Sequence, residues 1–393
     1  MKVRWTVWHS GIMSKSPIQQ VFQYGREGYQ KQHRPSAVQR KTIYAITACK
    51  SGSLGSNISI CDTCGHVRFH HNSCRNRNCP NCQAVQNELW IDKRRAEVID
   101  APYFHLVFTL PSELNPLVYA NQALLYDLLH KCAAETILEL SADAKYLGAL
   151  PGIIQVLHTW GQALNYHPHI HAIVSGAGIT RDLKLRQCGN HFFLPSKVLG
   201  RKFRGKFLSK LKSLYDAGRL RLPDSCKDPG NWDQFINRLY SKEWHPDIRE
   251  TFRGKGNAID YLGRYTNRIA ISNARIKSVT PDAVTFSAKN YRKEGRMEEI
   301  TISCTEFVRR FMMHVLPAGF QKIRYYGFLG NRKKKANLKR IFALQGKALY
   351  LSKFAGLSND EVLKILWGYD VHVCPKCQCH SMYHIGRTFR QQE

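Results

Sequence analysis

Residues 166–174 read Tyr-His-Pro-His-Ile-His-Ala-Ile-Val. Side chains alternate between the two faces of a strand, so His169 and His171 would lie on one face and Ile170 on the other, toward a core. Two imidazoles about 7 Å apart on one sheet face form half of a site for a divalent cation. A plain strand with two half-exposed histidines has the same pattern, so the assignment depends on other residues.

A third ligand would be needed to hold such an ion well. Gln162 lies seven residues before His169, on or just after the preceding strand, and its amide oxygen suits Mg²⁺ or Mn²⁺. His158 is the alternative. Strict alternation would also place His167 on the metal face, but Pro168 interrupts the strand there. We favour Gln162 over His158.

A second motif, residues 261–268, reads Tyr-Leu-Gly-Arg-Tyr-Thr-Asn-Arg. On a helix, Tyr261 and Tyr265 share one face, and Arg264 and Arg268 form a second such pair beside them. Tyrosines at this spacing often pack in a core. Next to a metal site they predict nucleophiles, because a cation can polarise a phosphate while arginines hold its oxygens.

The charge of the chain predicts a polyanionic partner. There are 59 Lys and Arg against 29 Asp and Glu, a formal charge of +30 at pH 7. Basic residues concentrate at 201–221 and 332–335, and 18 Tyr and 7 Trp accompany them. Cationic side chains that neutralise phosphates release counterions, and aromatic rings stack on unpaired bases. A nucleic acid with unpaired bases is therefore the expected partner, although charge alone does not predict catalysis.

The thirteen cysteines are clustered, which favours metal ligation over disulfides. The pairs Cys61/Cys64 and Cys79/Cys82 predict one tetrahedral zinc site. Other residues within reach could replace one of these ligands: Cys74, His66, His70 and His71. A further pair, Cys374 and Cys377, is half of a second zinc site, with Cys379, His380 and His384 following it.

Other classes of protein fit the sequence poorly. No apolar run approaches the roughly 20 residues of a membrane span, and the first residues lack the apolar region of a signal peptide. The G-x-x-x-x-G-K-[ST] pattern of an ATP-binding loop is absent. We therefore expect a protein of a reducing cytoplasm, without an ATP-driven motor.

The order of elements predicts an α+β fold with a central antiparallel sheet. Helices are expected over 18–30, 37–49, 83–100, 114–140 and 257–267, and strands over 103–110, 152–160 and 166–175. We divide the chain into a helical and zinc-binding domain (1–98), two parts of a catalytic core (99–175 and 256–305), a basic insertion between them (176–255) and a basic, largely helical region (306–393).

At these residues the chain resembles the HUH nuclease superfamily, and within it the IS91-like rolling-circle transposases. His169-Ile170-His171 matches the His-hydrophobe-His motif, and residues 261–268 are similar to the Tyr-x-x-Lys-Tyr-x-x-Lys helix of phage rolling-circle initiators. The cysteine cluster, residues 157–171 and residues 314–324 look like the transposases, so the resemblance spans about 15–379. One departure is Gln378-Cys379, where relatives often have Gly-Gly.

The resemblance implies a transposase that cleaves single-stranded DNA at the ends of an insertion sequence. A tyrosine would join the 5′ phosphate with the help of Mg²⁺ or Mn²⁺, while zinc would be structural. Unwinding would come from elsewhere, such as host replication. The alternatives are a rolling-circle replication initiator with the same chemistry, and a non-catalytic zinc-containing nucleic-acid-binding protein.

Overall fold

The computed structural model describes residues 15–189, 194–252, 263, 270–290, 293–346 and 352–389. Its helices are α1 (Pro17–Gln32), α2 (Ala37–Ala48), α3 (Ala84–Arg95), α4 (Asn115–Ala120), α5 (Gln122–Ala142), α6 (Ser196–Asp216), α7 (Pro229–Ser241), α8 (Cys304–Met313), α9 (Lys334–Leu344) and α10 (Asn359–Trp367). Within these ranges no helix is both long and apolar enough to cross a membrane.

The strands form three antiparallel sheets, which confirms the predicted α+β class. They are β1 (Ser56–Cys61), β2 (Val67–His71), β3 (Tyr103–Thr109), β4 (Leu150–Trp160), β5 (Tyr166–Ile179), β6 (Leu185–Gln187), β7 (Asp247–Phe252), β8 (Ile276–Val279), β9 (Ala283–Asn290), β10 (Arg296–Ser303), β11 (Ile323–Gly327) and β12 (Met382–Thr388). The central sheet has the order β11-β4-β5-β3-β7, and β6 pairs with the end of β5.

Strand β5 runs through the middle of the central sheet and is buried along most of its length. Ile170, Ala172 and Val174 pack with α5, α6 and α7 on one face. Ile173 packs on the other face, with α3 and α9. Because helices cover both faces, the strand reads as a nearly continuous apolar run. His169, His171 and Ser175 are the buried polar exceptions on the α3 face.

The segment 176–255, which we expected to be an excursion from the sheet, returns to it through β7, the partner of β3. Its helix α6 packs on α5, and some of its basic side chains pair with acids there. Lys202 and Lys206 contact Glu139, and Lys210 contacts Glu135. Part of the basic run at 201–221 therefore serves helix packing.

A second lobe contains α1, α2, α8 and the sheet β10-β9-β8, which share one apolar core. These strands follow the tyrosine motif in sequence but form a sheet of their own and do not extend the central one. Helix α8 starts at an N-cap, Ser303, whose side chain accepts a hydrogen bond from the Glu306 amide. The lobe packs against the turn between β4 and β5.

The third sheet joins distant parts of the chain, with the order β12-β1-β2. Strand β12 pairs with β1 from Met382 opposite Cys61 to Thr388 opposite Ser56. The region after residue 306 thus contributes β11 to the central sheet and β12 to this one, besides its three helices. It is less completely helical than we expected.

Helices α1 and α8 approach so closely that a glycine is required at their crossing. A Cβ built on Gly25 would lie 2.3 Å from the carbonyl oxygen of Cys304, which is backbone and cannot rotate away. We expect Gly25→Ala to lower the free energy of unfolding by about 1–3 kcal/mol, the usual cost of overpacking. Urea denaturation monitored by tryptophan fluorescence measures this change.

The matched control is Gly205→Ala in α6, where nothing lies within 4 Å of the added Cβ. That substitution should leave stability unchanged or raise it by up to about 1 kcal/mol, because alanine favours helix more than glycine does. Equal stability of the two variants would contradict the close approach of α1 and α8.

Candidate metal centre

Three histidines converge on one face of the β4–β5 hairpin. His158 on β4 lies directly opposite His169 on β5, and His171 follows two residues later on the same face. Their ligand nitrogens all lie within 4.8 Å of one another. The three residues are 3%, 9% and 8% exposed, respectively. Buried imidazoles in this arrangement match a site for a divalent ion.

Hydrogen bonds fix the orientation of two of the rings. His169 donates its Nδ1–H to the carbonyl oxygen of His167 at 2.6 Å, which leaves Nε2 unprotonated in the neutral ring. His171 Nδ1 lies 2.8 Å from Nε2 of His105 on β3, and the two rings stack. Metal-binding histidines characteristically donate the second nitrogen in this way.

The remaining nitrogens of the pair point at each other. His169 Nε2 and His171 Nε2 are 3.1 Å apart. When His171 donates its Nδ1–H to His105, both Nε2 atoms present lone pairs to the same point. Two lone pairs at this distance repel unless a cation lies between them. The residues present therefore fit a metal ion, with His105 as a positioning residue that sequence reasoning missed.

Burial keeps His169 in the neutral form that binds a metal ion. Burial first, and the neighbouring His167 ring second, lower the pKa of His169 to about 3. An imidazole with this pKa is neutral at pH 7, so no proton needs to leave before an ion binds.

The two candidate third ligands lie in different places. His158 belongs to the cluster, whereas Gln162 lies in the turn 161–165 after β4. The Gln162 carbonyl oxygen accepts a hydrogen bond from Arg275 in the second lobe. Of the two candidates, the structure thus brings His158 to His169 and His171, although we ranked it second. The role of the Gln162 side chain stays a prediction.

Side chains of the second lobe hold the hairpin turn. His314 Nε2 lies 3.1 Å from the Leu164 carbonyl oxygen, and its Nδ1 lies 3.2 Å from the Thr159 hydroxyl. Arg310 donates to the Ala163 carbonyl oxygen at 3.0 Å. Together with Arg275, these contacts satisfy three successive carbonyl groups of the turn. They fix the end of the hairpin beside the three histidines.

An aromatic and a basic side chain extend the site beyond the ligands. Trp160 stacks on His158 with ring centroids 4.5 Å apart, and Lys322 Nζ lies 5.1 Å from the centroid of the Trp160 ring. Burial first, and the positive charge of Arg77 second, lower the pKa of Lys322 to about 7. Lys322 belongs to the segment 314–324, which resembles the IS91-like transposases.

Of the tyrosine motif, Tyr261, Arg264, Tyr265 and Arg268 lie outside the described residues. Gly263, between them, is described and lies against Ile91 of α3, since its ideal Cβ would be 2.3 Å from Ile91 Cδ1. Ile91 belongs to the apolar cluster of Val156 and Ile173, on the histidine face of the sheet. Gly263 is therefore on the side of the sheet that carries the metal centre.

The cysteines form two groups that differ from the predicted one. Cys49, Cys74, Cys79 and Cys82 make the first group, and Cys61, Cys64, Cys374 and Cys377 make the second. The predicted grouping of Cys61 and Cys64 with Cys79 and Cys82 is wrong, because the pairing of β1 with β12 brings a distant pair to Cys61 and Cys64. Cys49, at the end of α2, was missed because no Cys-x-x-Cys pattern marks it.

Two sequence profiles match the chain. One, described as "Transposase zinc-binding domain" of the IS91 type, covers residues 21–110 and contains the first cysteine group. The other, described as "Putative transposase", covers residues 152–336 and contains the three histidines.

Two relatives match over most of their length. A protein of Sinorhizobium fredii (strain NBRC 101917 / NGR234) named "Putative transposase y4qJ" is 39% identical over 372 residues, 93% of this chain and 94% of the relative. The chain belongs to the IS91 family of transposases. The transposase for insertion sequence element IS801 of Pseudomonas savastanoi pv. phaseolicola is 30% identical over 301 residues, 75% of this chain and 71% of the relative.

Replacement of His158 tests the three-histidine set of the transposase. We expect His158→Ala to weaken Mn²⁺ binding by more than the roughly 10–100-fold typical of losing a supporting residue, because it removes a direct ligand. Gln162→Ala should change the affinity little. Isothermal titration of the metal-free protein measures both. A larger effect of Gln162→Ala would reverse the assignment of the third ligand.

The buried histidine that holds the turn predicts a pH effect on stability. Burial lowers the pKa of His314 to about 4, against an ordinary value near 6.5. Between these values the unfolded chain binds more protons, so the free energy of unfolding falls as the pH falls from 6.5 to 4. We expect His314→Gln to flatten this dependence by up to about 1.4 kcal/mol per pH unit. Urea denaturation at several pH values measures the slope, and an unchanged slope would contradict the prediction.

Proposed function

We propose that this transposase cleaves and rejoins single-stranded DNA at the ends of its insertion sequence through a 5′-phosphotyrosine intermediate. The observation that carries the proposal is the convergence of His158, His169 and His171 with two Nε2 atoms 3.1 Å apart. Such a site suits phosphodiester chemistry in a protein whose net charge is +30.

The proposed nucleophiles are Tyr261 and Tyr265. One phenol loses its proton, and its oxygen attacks the scissile phosphorus. A tyrosine O–P bond forms while the P–O3′ bond breaks, and the departing 3′ oxygen takes up a proton. The bond energy stays in the phosphotyrosine, so a 3′-hydroxyl can reverse the step and join the strand to a target without ATP.

The three histidines would hold a divalent ion, which when bound polarises the phosphate and stabilises charge on the leaving oxygen. Three imidazoles favour Mn²⁺ over Mg²⁺, since Mg²⁺ prefers oxygen ligands. His105 would keep the His171 ring oriented through their 2.8 Å contact. Lys322 lies next to Trp160, at the edge of the same site, where its amine can face the DNA phosphates.

Two features support the role of the tyrosine motif. Gly263 packs on Ile91, on the sheet face that carries the histidines. A larger residue at this position would require the Ile91 side chain to move. In a helix through this position, Arg264 and Arg268 would provide bidentate contacts to the non-bridging phosphate oxygens.

Zinc would have a structural role in the first cysteine group. Cys74 and Cys82 have sulfur atoms 3.7 Å apart, close to the roughly 3.8 Å edge of a tetrahedral Zn–S₄ site. Cys49 and Cys79 are fully buried in the core of the second lobe. An ion here would connect the loop 72–83 to α2, and would thereby support the lobe that holds the β4–β5 turn.

Trapping of the covalent intermediate tests the function. Labelled single-stranded DNA from the ends of the element is incubated with protein and Mn²⁺, and the products are resolved on a denaturing gel. We expect a heat-stable protein–DNA adduct that disappears in the double variant Tyr261→Phe/Tyr265→Phe, because phenylalanine lacks the attacking oxygen. The two single variants identify the tyrosine that cleaves first.

His171→Ala and His130→Ala make a matched pair of controls. Both histidines are buried, but His130 contacts Gln155 outside the metal centre. We expect His171→Ala to abolish the adduct while DNA binding persists, and His130→Ala to retain adduct formation. Tight binding without an adduct from any end sequence would instead favour a non-catalytic DNA-binding protein.

A further inference from the structure

The second cysteine group combines residues from opposite ends of the chain. Cys61 ends β1 and Cys64 lies in the turn that follows, whereas Cys374 and Cys377 precede β12. Hydrogen bonds between β1 and β12 hold these segments side by side, with Cys61 opposite Met382. The two sulfur contacts in the group join residues that are 316 and 310 positions apart in sequence.

The two Cys-x-x-Cys segments have the same backbone geometry. In the first, the Gly65 amide donates to the Cys61 carbonyl oxygen at 2.9 Å, and Gly65 has a φ of +66°. In the second, the Gln378 amide donates to the Cys374 carbonyl oxygen at 2.9 Å, and Gln378 has a φ of +61°. The left-handed conformation is costly for glutamine, so the turn is strongly imposed at this position.

Burial follows the same symmetry. The first cysteine of each segment is buried: Cys61 is 1% exposed and Cys374 is 0% exposed. The second cysteine, Cys64 or Cys377, is partly exposed. Each knuckle thus presents one inner and one outer sulfur, and the two knuckles face each other as the halves of a tetrahedral site would.

The sulfur distances match a shared metal ion. Cys61 Sγ lies 3.6 Å from Cys377 Sγ, and Cys64 Sγ lies 3.7 Å from Cys374 Sγ. A tetrahedral site with Zn–S bonds of 2.3 Å has edges of about 3.8 Å, whereas a disulfide would require about 2.05 Å. The Ser381 hydroxyl, 3.1 Å from Cys61 Sγ, can donate to a thiolate there.

We propose that Cys61, Cys64, Cys374 and Cys377 bind one zinc ion, which fastens the carboxyl-terminal segment to the amino-terminal hairpin. This site is separate from the group of Cys49, and it lies only partly within the matched zinc-binding profile, which ends at residue 110. Four thiolates and a closed coordination shell make the site structural.

The other candidate ligands near the second knuckle have different surroundings. Cys379 is exposed, and its carbonyl oxygen accepts from the Cys374 amide. His380 Nε2 lies 3.1 Å from the Asp370 carboxylate, which also pairs with Lys364 at 2.8 Å. The side chain of His384 is on an exposed part of β12.

The ion would determine whether the carboxyl-terminal segment folds. Met382 donates its amide to the His372 carbonyl oxygen, and Arg68 of β2 donates to the Val371 carbonyl oxygen. Six residues of β12 also pair with β1, but much of β12 is exposed to solvent. Bringing β12 to β1 closes a loop of more than 300 residues, which costs conformational entropy. Without the free energy of zinc binding to offset this cost, β12 should separate from β1.

Zinc content measured by native mass spectrometry of the full chain tests the site. We expect the double variant Cys374→Ser/Cys377→Ser to contain about one equivalent of zinc less than the wild type. The double variant Cys61→Ser/Cys64→Ser should lack the same equivalent. Cys379→Ser, in the same tail, should keep the wild-type content. Cys377→His should retain the ion as a Cys₃His site, which guards against a general folding defect.

Hydrogen exchange provides the second readout and does not depend on DNA cleavage. In Cys374→Ser/Cys377→Ser we expect faster exchange over 382–388 and 56–61, with unchanged exchange in β4 and β5. Wild-type zinc content in that variant would overturn the proposal. The proposal would also be overturned if the wild type were purified without this ion and with a mass lower by two hydrogens. That mass would indicate a disulfide in place of the zinc site. Either result is independent of whether the tyrosines cleave DNA.

Discussion

The pairing of β4 with β5 is the constraint on which the site depends. One register places His158 opposite His169 and His171 beside them, and a shift by one residue would turn every one of these rings toward the opposite core. That opposite face is filled by Ile170, Ala172 and Val174, packed under α5 and α6. The apolar core therefore fixes the register, and the register fixes the geometry of the candidate metal ligands.

The turn that closes this hairpin is held by hydrogen bonds from the second lobe. His314, Arg310 and Arg275 satisfy carbonyl groups of residues 162–164, so the free end of the hairpin is held by side chains from outside the central sheet. The contact of His314 with the Leu164 carbonyl oxygen is buried, so breaking it would leave a carbonyl group without a partner and away from water. Through this clamp, stability of the second lobe and of its cysteine group would be linked to the precision of the histidine site.

Sequence reasoning succeeded where a local pattern determines the structure. Alternation along 166–174 predicted that His169 and His171 share a face, and the apolar runs predicted β3, β4 and β5 closely. It ranked Gln162 above His158 because the register across the 161–165 turn is not visible in a single strand. It grouped the cysteines by proximity in sequence, whereas β12 pairs with β1 across the length of the chain. Cys49 and His105 carry no local pattern, and only tertiary contacts reveal them.

The ligand types are segregated, and this separation has a chemical consequence. All eight clustered thiols lie in the two cysteine groups, while the centre on the β4–β5 hairpin has only imidazoles. Thiolates bind zinc strongly. Three neutral imidazoles bind it too, because a given set of ligands generally binds Zn²⁺ more tightly than Mn²⁺. A cell with free zinc could therefore load the histidine centre with the wrong ion. The separation would give the protein two tightly held structural ions and one more exchangeable ion at the histidines, whose identity would follow the metals available.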